Sequence, residues 1–277
     1  MQTIDLAYSQ AVPIIVSQHK HVEFVLVGAG GTGGFLISAI SRLMKEIEAT
    51  TTKTTACTII DPDIVEEKNI PRQNFQPGDI GLPKAEVLAA RYSLAMGCDI
   101  SAISQPFTPI MAKARWRSLI IIIGCVDNAA ARQEIASCLN SGDSAYYLPD
   151  VWWLDCGNHR SSGQVLLGSS NCFQFKQAFD NPSKPHFCKV LPSPIVLHPE
   201  LLEALPEEKQ STPLSCAELV ARNQQSLFVN QHVAAIASDY LLALTLTGGL
   251  KKFATYFNAN SGSSRSLYTA PSTLANY

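Results

Sequence analysis

Apolar residues fall along this chain in short unbroken runs that alternate with stretches at helical spacing. Residues 22–27 form such a run, end in glycines and predict a buried parallel strand. Beyond the glycines, Phe35, Leu36, Ile40, Leu43 and Ile47 share one helical face, which predicts a helix over 35–47. Residues 50–55 read as a polar connection, 57–60 as a second strand and 84–96 as a second helix. Residues 119–123 are wholly apolar, as in a central strand, and 128–139 are helical again. Strand, glycine turn, helix, strand, helix, strand is the α/β pattern of a Rossmann-like, doubly wound, mostly parallel sheet. Right-handed crossovers then gather the C-terminal strand ends on one edge, where ligands bind.

The rhythm changes in the second half. Residues 151–154 and 163–167 read as further strands that extend the sheet. Residues 181–213 hold seven prolines, which predicts a long irregular surface crossover. Residues 215–247 return to helix, with Val229, Val233, Ile236, Tyr240 and Leu244 on one face and Gly248 and Gly249 as the stop. Residues 258–264 are small and polar and read as a turn or flexible stretch. The expected organisation is one domain over 1–277 in two halves, 20–150 and 151–277, which the family resemblance drawn below makes the nucleotide-binding and the partner-binding half.

Composition narrows the classes. A hydrophobic fraction of 46% supports a sizeable core, and a net charge of −2 gives no reason to expect nucleic acid or an anionic membrane as partner. No apolar run approaches the ~20 residues of a membrane span. The first residues lack the basic start of a secretory signal, so a cytoplasmic protein is expected. The eight cysteines are scattered with no Cys-x-x-Cys pair, which reads as reduced thiols without a structural zinc site.

The chemistry gathers in four ordered stretches. Gly28, Gly30, Gly31 and Gly33 after the first strand form a turn whose freed N–H groups, at a helix start, suit a phosphate. Asp61, at the end of the next strand, can accept ribose hydroxyls, or it can cap a turn with Pro62 and Asp63. Arg72 and Lys84 separate a triphosphate from a dinucleotide, because attack at an α-phosphorus builds charge that calls for added cations. Their bland reading is two solvated surface charges. Asp127, after the wholly apolar strand, can hold Mg²⁺ against phosphates or cap the helix that follows.

In this order the stretches resemble the ThiF/MoeB/HesA superfamily, whose adenylation domain is shared with ubiquitin-activating enzymes. The matching residues are Gly28, Gly30, Gly31 and Gly33; Asp61 and Asp63; Asn69, Arg72 and Gln73; Gly81 and Lys84; and Asp127 with Asn128. Arg160, Gly163 and Gln164 match the next strand. Within the superfamily the chain is similar to ThiF-type proteins of the bacterial PRTRC gene cluster. The resemblance implies binding of ATP and Mg²⁺ and adenylation of the C-terminal glycine of a ubiquitin-like β-grasp protein by a homodimer. It implies that Asp61 holds ribose, that Asn69, Arg72 and Lys84 hold phosphates, that Gln73 supports them, and that Asp127 binds the metal. Cys216 stands where many members carry an acceptor thiol. Independently, Ser215 and Glu218 read as a capping box that puts Cys216 in a first helical turn, where the macrodipole favours a thiolate. The alternative is a cysteine tolerated at a helix start.

Two departures stand out. No arginine precedes Arg42, whereas dimeric bacterial relatives carry an N-terminal arginine that reaches the partner's ATP. Paired zinc-binding cysteines are absent as well. Two other functions remain open on sequence alone. An NAD-dependent oxidoreductase would use the glycine turn and Asp61 but leave Arg72, Lys84 and Asp127 idle. A non-catalytic module would bind nucleotide and recruit a partner without turnover.

Overall fold

The computed structural model describes residues 7–112, 117–139, 148–181, 183–203 and 228–277. They build one eight-stranded sheet in the order β3-β2-β1-β4-β5-β6-β7-β8. The strands are β1 (His21–Val27), β2 (Thr54–Ile60), β3 (Ile100–Ile103), β4 (Ser118–Gly124), β5 (Val151–Asn158), β6 (Ser162–Gly168), β7 (Lys252–Asn258) and β8 (Ser263–Tyr268). Strands β3, β2, β1, β4 and β5 run parallel, and β6 to β8 add antiparallel. This is the mostly parallel α/β sheet expected from the apolar runs.

The helices are α1 (Ala7–Gln10), α2 (Gly31–Thr50), α3 (Lys84–Met96), α4 (Ala129–Ser137), α5 (Phe175–Ala178), α6 (Pro194–Leu197), α7 (Val229–Leu242) and α8 (Pro271–Leu274). Phe24 and Leu26 of β1 pack with α2 and α7 on one face, while Val25 and Val27 pack with α4 on the other. Every residue of β4 is buried, and after Ser118 the strand is wholly apolar, as suits a parallel strand covered on both faces. Its four consecutive isoleucines combine β-branched stiffness with roughly 2–3 kcal/mol of burial each. Helix α3 ends on Gly97 at φ +61°, whose N–H donates to the Ser93 carbonyl.

Several expectations need correction. Strand β3 was missed because it is a four-residue edge strand, and β7 because its buried positions do not alternate. The described part of the proline-rich stretch is not a loose surface run. Cys188, Leu191 and Ser193 are fully buried. Pro194 starts α6, and Pro199 starts a 3₁₀ turn, a position where a missing N–H costs nothing. The long helix is described only from Val229. It runs to Leu242, passes through a π turn at Ala243–Thr247 and stops at Gly248, φ +66°. An N-terminal strap also closes the fold. Ile14 N–H donates to Leu250 O at 2.8 Å and Cys188 N–H to Pro13 O at 2.8 Å. No helix among the described residues is long and apolar enough to cross a membrane.

Candidate functional site

Strands β1 and β4 are neighbours, yet the chain leaves β1 for α2 on one face and β4 for α4 on the other. The crevice opened by such a switch is the usual ligand position in this architecture. The β1–α2 turn and the β4–α4 loop meet there. Gly28 has φ +94°, and a Cβ on it would lie 2.5 Å from the Cys125 carbonyl oxygen. A Cβ on Gly33 would overlap the Gly28 carbonyl. Helix α2 begins after Gly30 with no side-chain cap, so its first N–H groups face the crevice without a side-chain partner.

Asp61 lies at the end of β2 and is 5% exposed. Its Oδ2 accepts the Ala29 N–H at 2.6 Å and its Oδ1 the Asp63 N–H at 2.8 Å. Burial raises the Asp61 carboxyl above its usual value; those two N–H donors, and Lys84 nearby, pull against the rise. The carboxylate is thus first a tie for the glycine turn, with one lone pair per oxygen left for a ligand. Next along, Lys84 is only 6% exposed at the start of α3, and its Nζ meets Asp63 Oδ2 at 2.8 Å. A lysine is seldom this buried without a partner. Its carboxylate partner is largely exposed and stands at the rim.

Asn69 is also buried, and its side chain caps a 3₁₀ turn by accepting the Glu66 N–H at 2.8 Å. Its backbone carbonyl takes the N–H groups of Arg72 and Gln73. Asn69 thereby anchors the turn that carries its two neighbours, through its Oδ1 and its backbone carbonyl. Arg72 Nε and Gln73 Oε1 are buried atoms that no described group satisfies. The Gln73 amide sits 3.7 Å from where a Gly30 Cβ would be. A buried polar atom without a protein partner is met by water, an ion or a ligand, or else stores strain.

On the other side of the turn, Asp127 is exposed, and the helix cap falls instead to Asn128, whose Oδ1 accepts the Ala131 N–H at 2.8 Å. The capping role considered for Asp127 therefore belongs to Asn128. A single carboxylate suits Mg²⁺, which takes one or two protein carboxylates and completes its shell with phosphate and water. Among the described residues no group of three His, Cys, Asp or Glu side chains could hold a metal alone. Cys216, with Ser215 and Glu218, lies outside the described residues.

Three groups of contributors escaped the sequence reading. Arg132 on α4 joins the fully buried Asp155 of β5 at 3.1 Å and donates to the Val126 carbonyl at 2.9 Å, which steadies the loop that carries Asp127. Burial raises the Asp155 carboxyl, with Arg132 the chief opposing influence. A carboxylate inside the apolar stretch 151–156 was the available signal. Asn74 donates to the Gly34 carbonyl and to the Tyr92 hydroxyl, stitching the Arg72 segment to α2 and α3. Asn158 and Asn230 meet at Thr32, a contact between residues too far apart in the chain to read from spacing.

The ThiF family model matches residues 16–268 of this chain. Among solved structures, PaaA aligns over 91% of this chain and 65% of its own, at 15% identity and TM-score 0.54. E. coli MccB solved with MccA aligns over 91% and 65%, at 13% identity and TM-score 0.53. E. coli MccB solved with ATP aligns over 91% and 65%, at 14% identity and TM-score 0.51. The chain spans about two thirds of the length of these structures, and at such identities the likeness is one of fold. No curated protein matches the chain in sequence.

Proposed function

The chain belongs to the ThiF family, and from that premise we propose that it is an ATP-dependent adenylyltransferase acting on the carboxylate of a peptide or protein. One observation carries the reading. Asp61, which ties the glycine turn through the Ala29 N–H, has the buried Lys84 nearby, the segment carrying Arg72 reaches the turn through Gln73, and the helix start at that turn has no cap. Nothing in hydride transfer needs two extra cations there, whereas a triphosphate does. E. coli MccB, of like fold, is a protein solved with ATP and with MccA, which accords with a nucleotide and a partner meeting on one such sheet.

In this mechanism the α2 N–H groups and Gly30 cradle phosphate. Arg72 and Lys84 neutralise charge as the bond between the α-phosphorus and the bridging oxygen breaks. Lys84 exchanges Asp63 for phosphate. Asp61 uses its remaining lone pairs on ribose, and Gln73 orients its neighbour. The acyl carboxylate attacks in line, a new oxygen–phosphorus bond forms and pyrophosphate leaves; no general base is required, because the nucleophile is already ionised. Asp127 would hold Mg²⁺, which supplies further charge neutralisation at the leaving phosphates.

The finer reading is that the carboxylate is the C-terminal glycine of a ubiquitin-like β-grasp protein, that 20–150 serves the nucleotide and 151–277 the partner, and that two copies work as a homodimer. The Cys216 thiolate then attacks the acyl carbon of the adenylate, forming a thioester as the acyl–phosphate bond breaks and AMP leaves. ATP–pyrophosphate exchange against small proteins ending in glycine tests all of this. Exchange that vanishes in Lys84→Ala and Asp127→Ala supports adenylation, and nucleotide binding without exchange rejects it. Cys216→Ala is expected to keep exchange and lose thioester; an unchanged thioester yield would reject the thiol.

A further inference from the structure

Three polar side chains from three separate elements meet beneath the first turn of α2. Thr32 is its second residue, Asn158 ends β5, and Asn230 is the second residue of α7. Thr32 and Asn230 are each 4% exposed. Asn158 Nδ2 donates to Thr32 Oγ1 at 3.1 Å and closely to Asn230 Oδ1, and Thr32 Oγ1 donates to Asn230 Oδ1 at 3.4 Å. A buried amide such as that of Asn230 is costly unless bonded, so this cluster holds its members to one arrangement.

A second observation is independent of those bonds. A Cβ on Gly31 would overlap the Asn230 side-chain amide. The amide therefore lies directly on the backbone of the cradle, and glycine is required at 31 for that approach rather than for a positive φ. Gly31 is the first residue of α2, so its position sets where the uncapped N–H groups point.

We propose that Asn230 is a positioning residue for the phosphate cradle, and that through it and Asn158 the cradle takes its shape from α7 and the end of β5. The ligand named here, MgATP, rests on the adenylation reading above; the mechanical claim does not. The C-terminal half thus enters the nucleotide site without touching nucleotide. Any displacement of the start of α7 is passed to Gly31 by direct contact.

The test uses the full chain. In nucleotide-free protein, Asn230→Ala is expected to speed amide hydrogen exchange at residues 28–34 about tenfold, while the β4 amides stay protected. Unchanged exchange at 28–34 overturns the proposal. Asn158→Ala gives the same readout should Asn230→Ala fail to fold. With MgATP as probe, Asn230→Ala is expected to weaken binding about 5- to 20-fold, a coupling typical of residues in contact. Gly31→Ala is expected to weaken it further, and the double variant to bind more tightly than Gly31→Ala, because the vacated amide leaves room for the new methyl. A double variant as weak as the product of the singles overturns the contact. A wild-type chain that binds no MgATP defeats the adenylation reading, and the exchange measurement still decides the positioning.

Discussion

Two loops flank the glycine turn, and they treat their carboxylates in opposite ways. After β2, Asp61 is buried and spends both oxygens on backbone N–H groups, so it is part of the frame before it meets any ligand. After β4, Asp127 is exposed, and its neighbour Asn128 takes the capping work. That loop is framed from below instead, by the Arg132–Asp155 pair and the Val126 carbonyl. A residue type at a strand end therefore does not by itself report a role. What matters is how much of its bonding capacity the protein has already used.

This contrast can be broken most sharply at the buried pair. Arg132→Ala strands the Asp155 carboxylate and is expected to cost about 3–5 kcal/mol in urea unfolding, whereas Arg132→Met with Asp155→Leu should recover most of that. A cost below about 1 kcal/mol for Arg132→Ala would show that the β4 loop is not framed this way. Asp61→Ala comes next. It leaves the buried Ala29 N–H and the part-buried Asp63 N–H unpaired, at about 1–3 kcal/mol of stability, and loses nucleotide binding with it. Asp127→Ala should leave the urea midpoint unchanged while pyrophosphate exchange falls about 100-fold or more. Equal loss of stability in the two aspartate variants would erase the distinction between the loops.

The smallest effect is a slope with pH. Burial lifts the Asp61 and Asp155 carboxyls above the usual value near 3.8, so the folded chain keeps protons that the unfolded chain has released. Their contribution to stability accordingly falls as pH climbs from that usual value through the higher folded value, and is level below it. Urea midpoints from about pH 4 to 7 should fall less steeply for Asp61→Asn than for the wild-type chain. A steeper fall in the variant would mean that the carboxyl is stabilised as an anion and stands ready for ribose hydroxyls.

Much of the frame was legible before any coordinates. Strand β1, helix α3 and strand β4 lie where the apolar runs and helical spacing place them, because a buried strand or an amphipathic helix is specified by residues a few positions apart. The edge strand β3, the β7–β8 hairpin and the buried course of 188–197 were not, since their pairing depends on what lies beside them. Among candidate residues, Asn69 shows the limit. A motif names it, while only the 3₁₀ turn reveals that its Oδ1 is taken by the Glu66 N–H, which leaves the amide nitrogen as the group that could donate.

The chain by itself determined the doubly wound order, the glycine turn and the list of polar residues at the strand ends, because those follow from local sterics and from which short runs must leave water. The tertiary structure decided which of those polar groups are already satisfied and which wait. It placed the Asn230 amide on Gly31, buried Lys84 beside an exposed Asp63, and left Arg72 Nε without a described partner. Satisfaction of a hydrogen-bonding group depends on neighbours contributed from distant chain positions, and burial sets what it costs to leave one unmet.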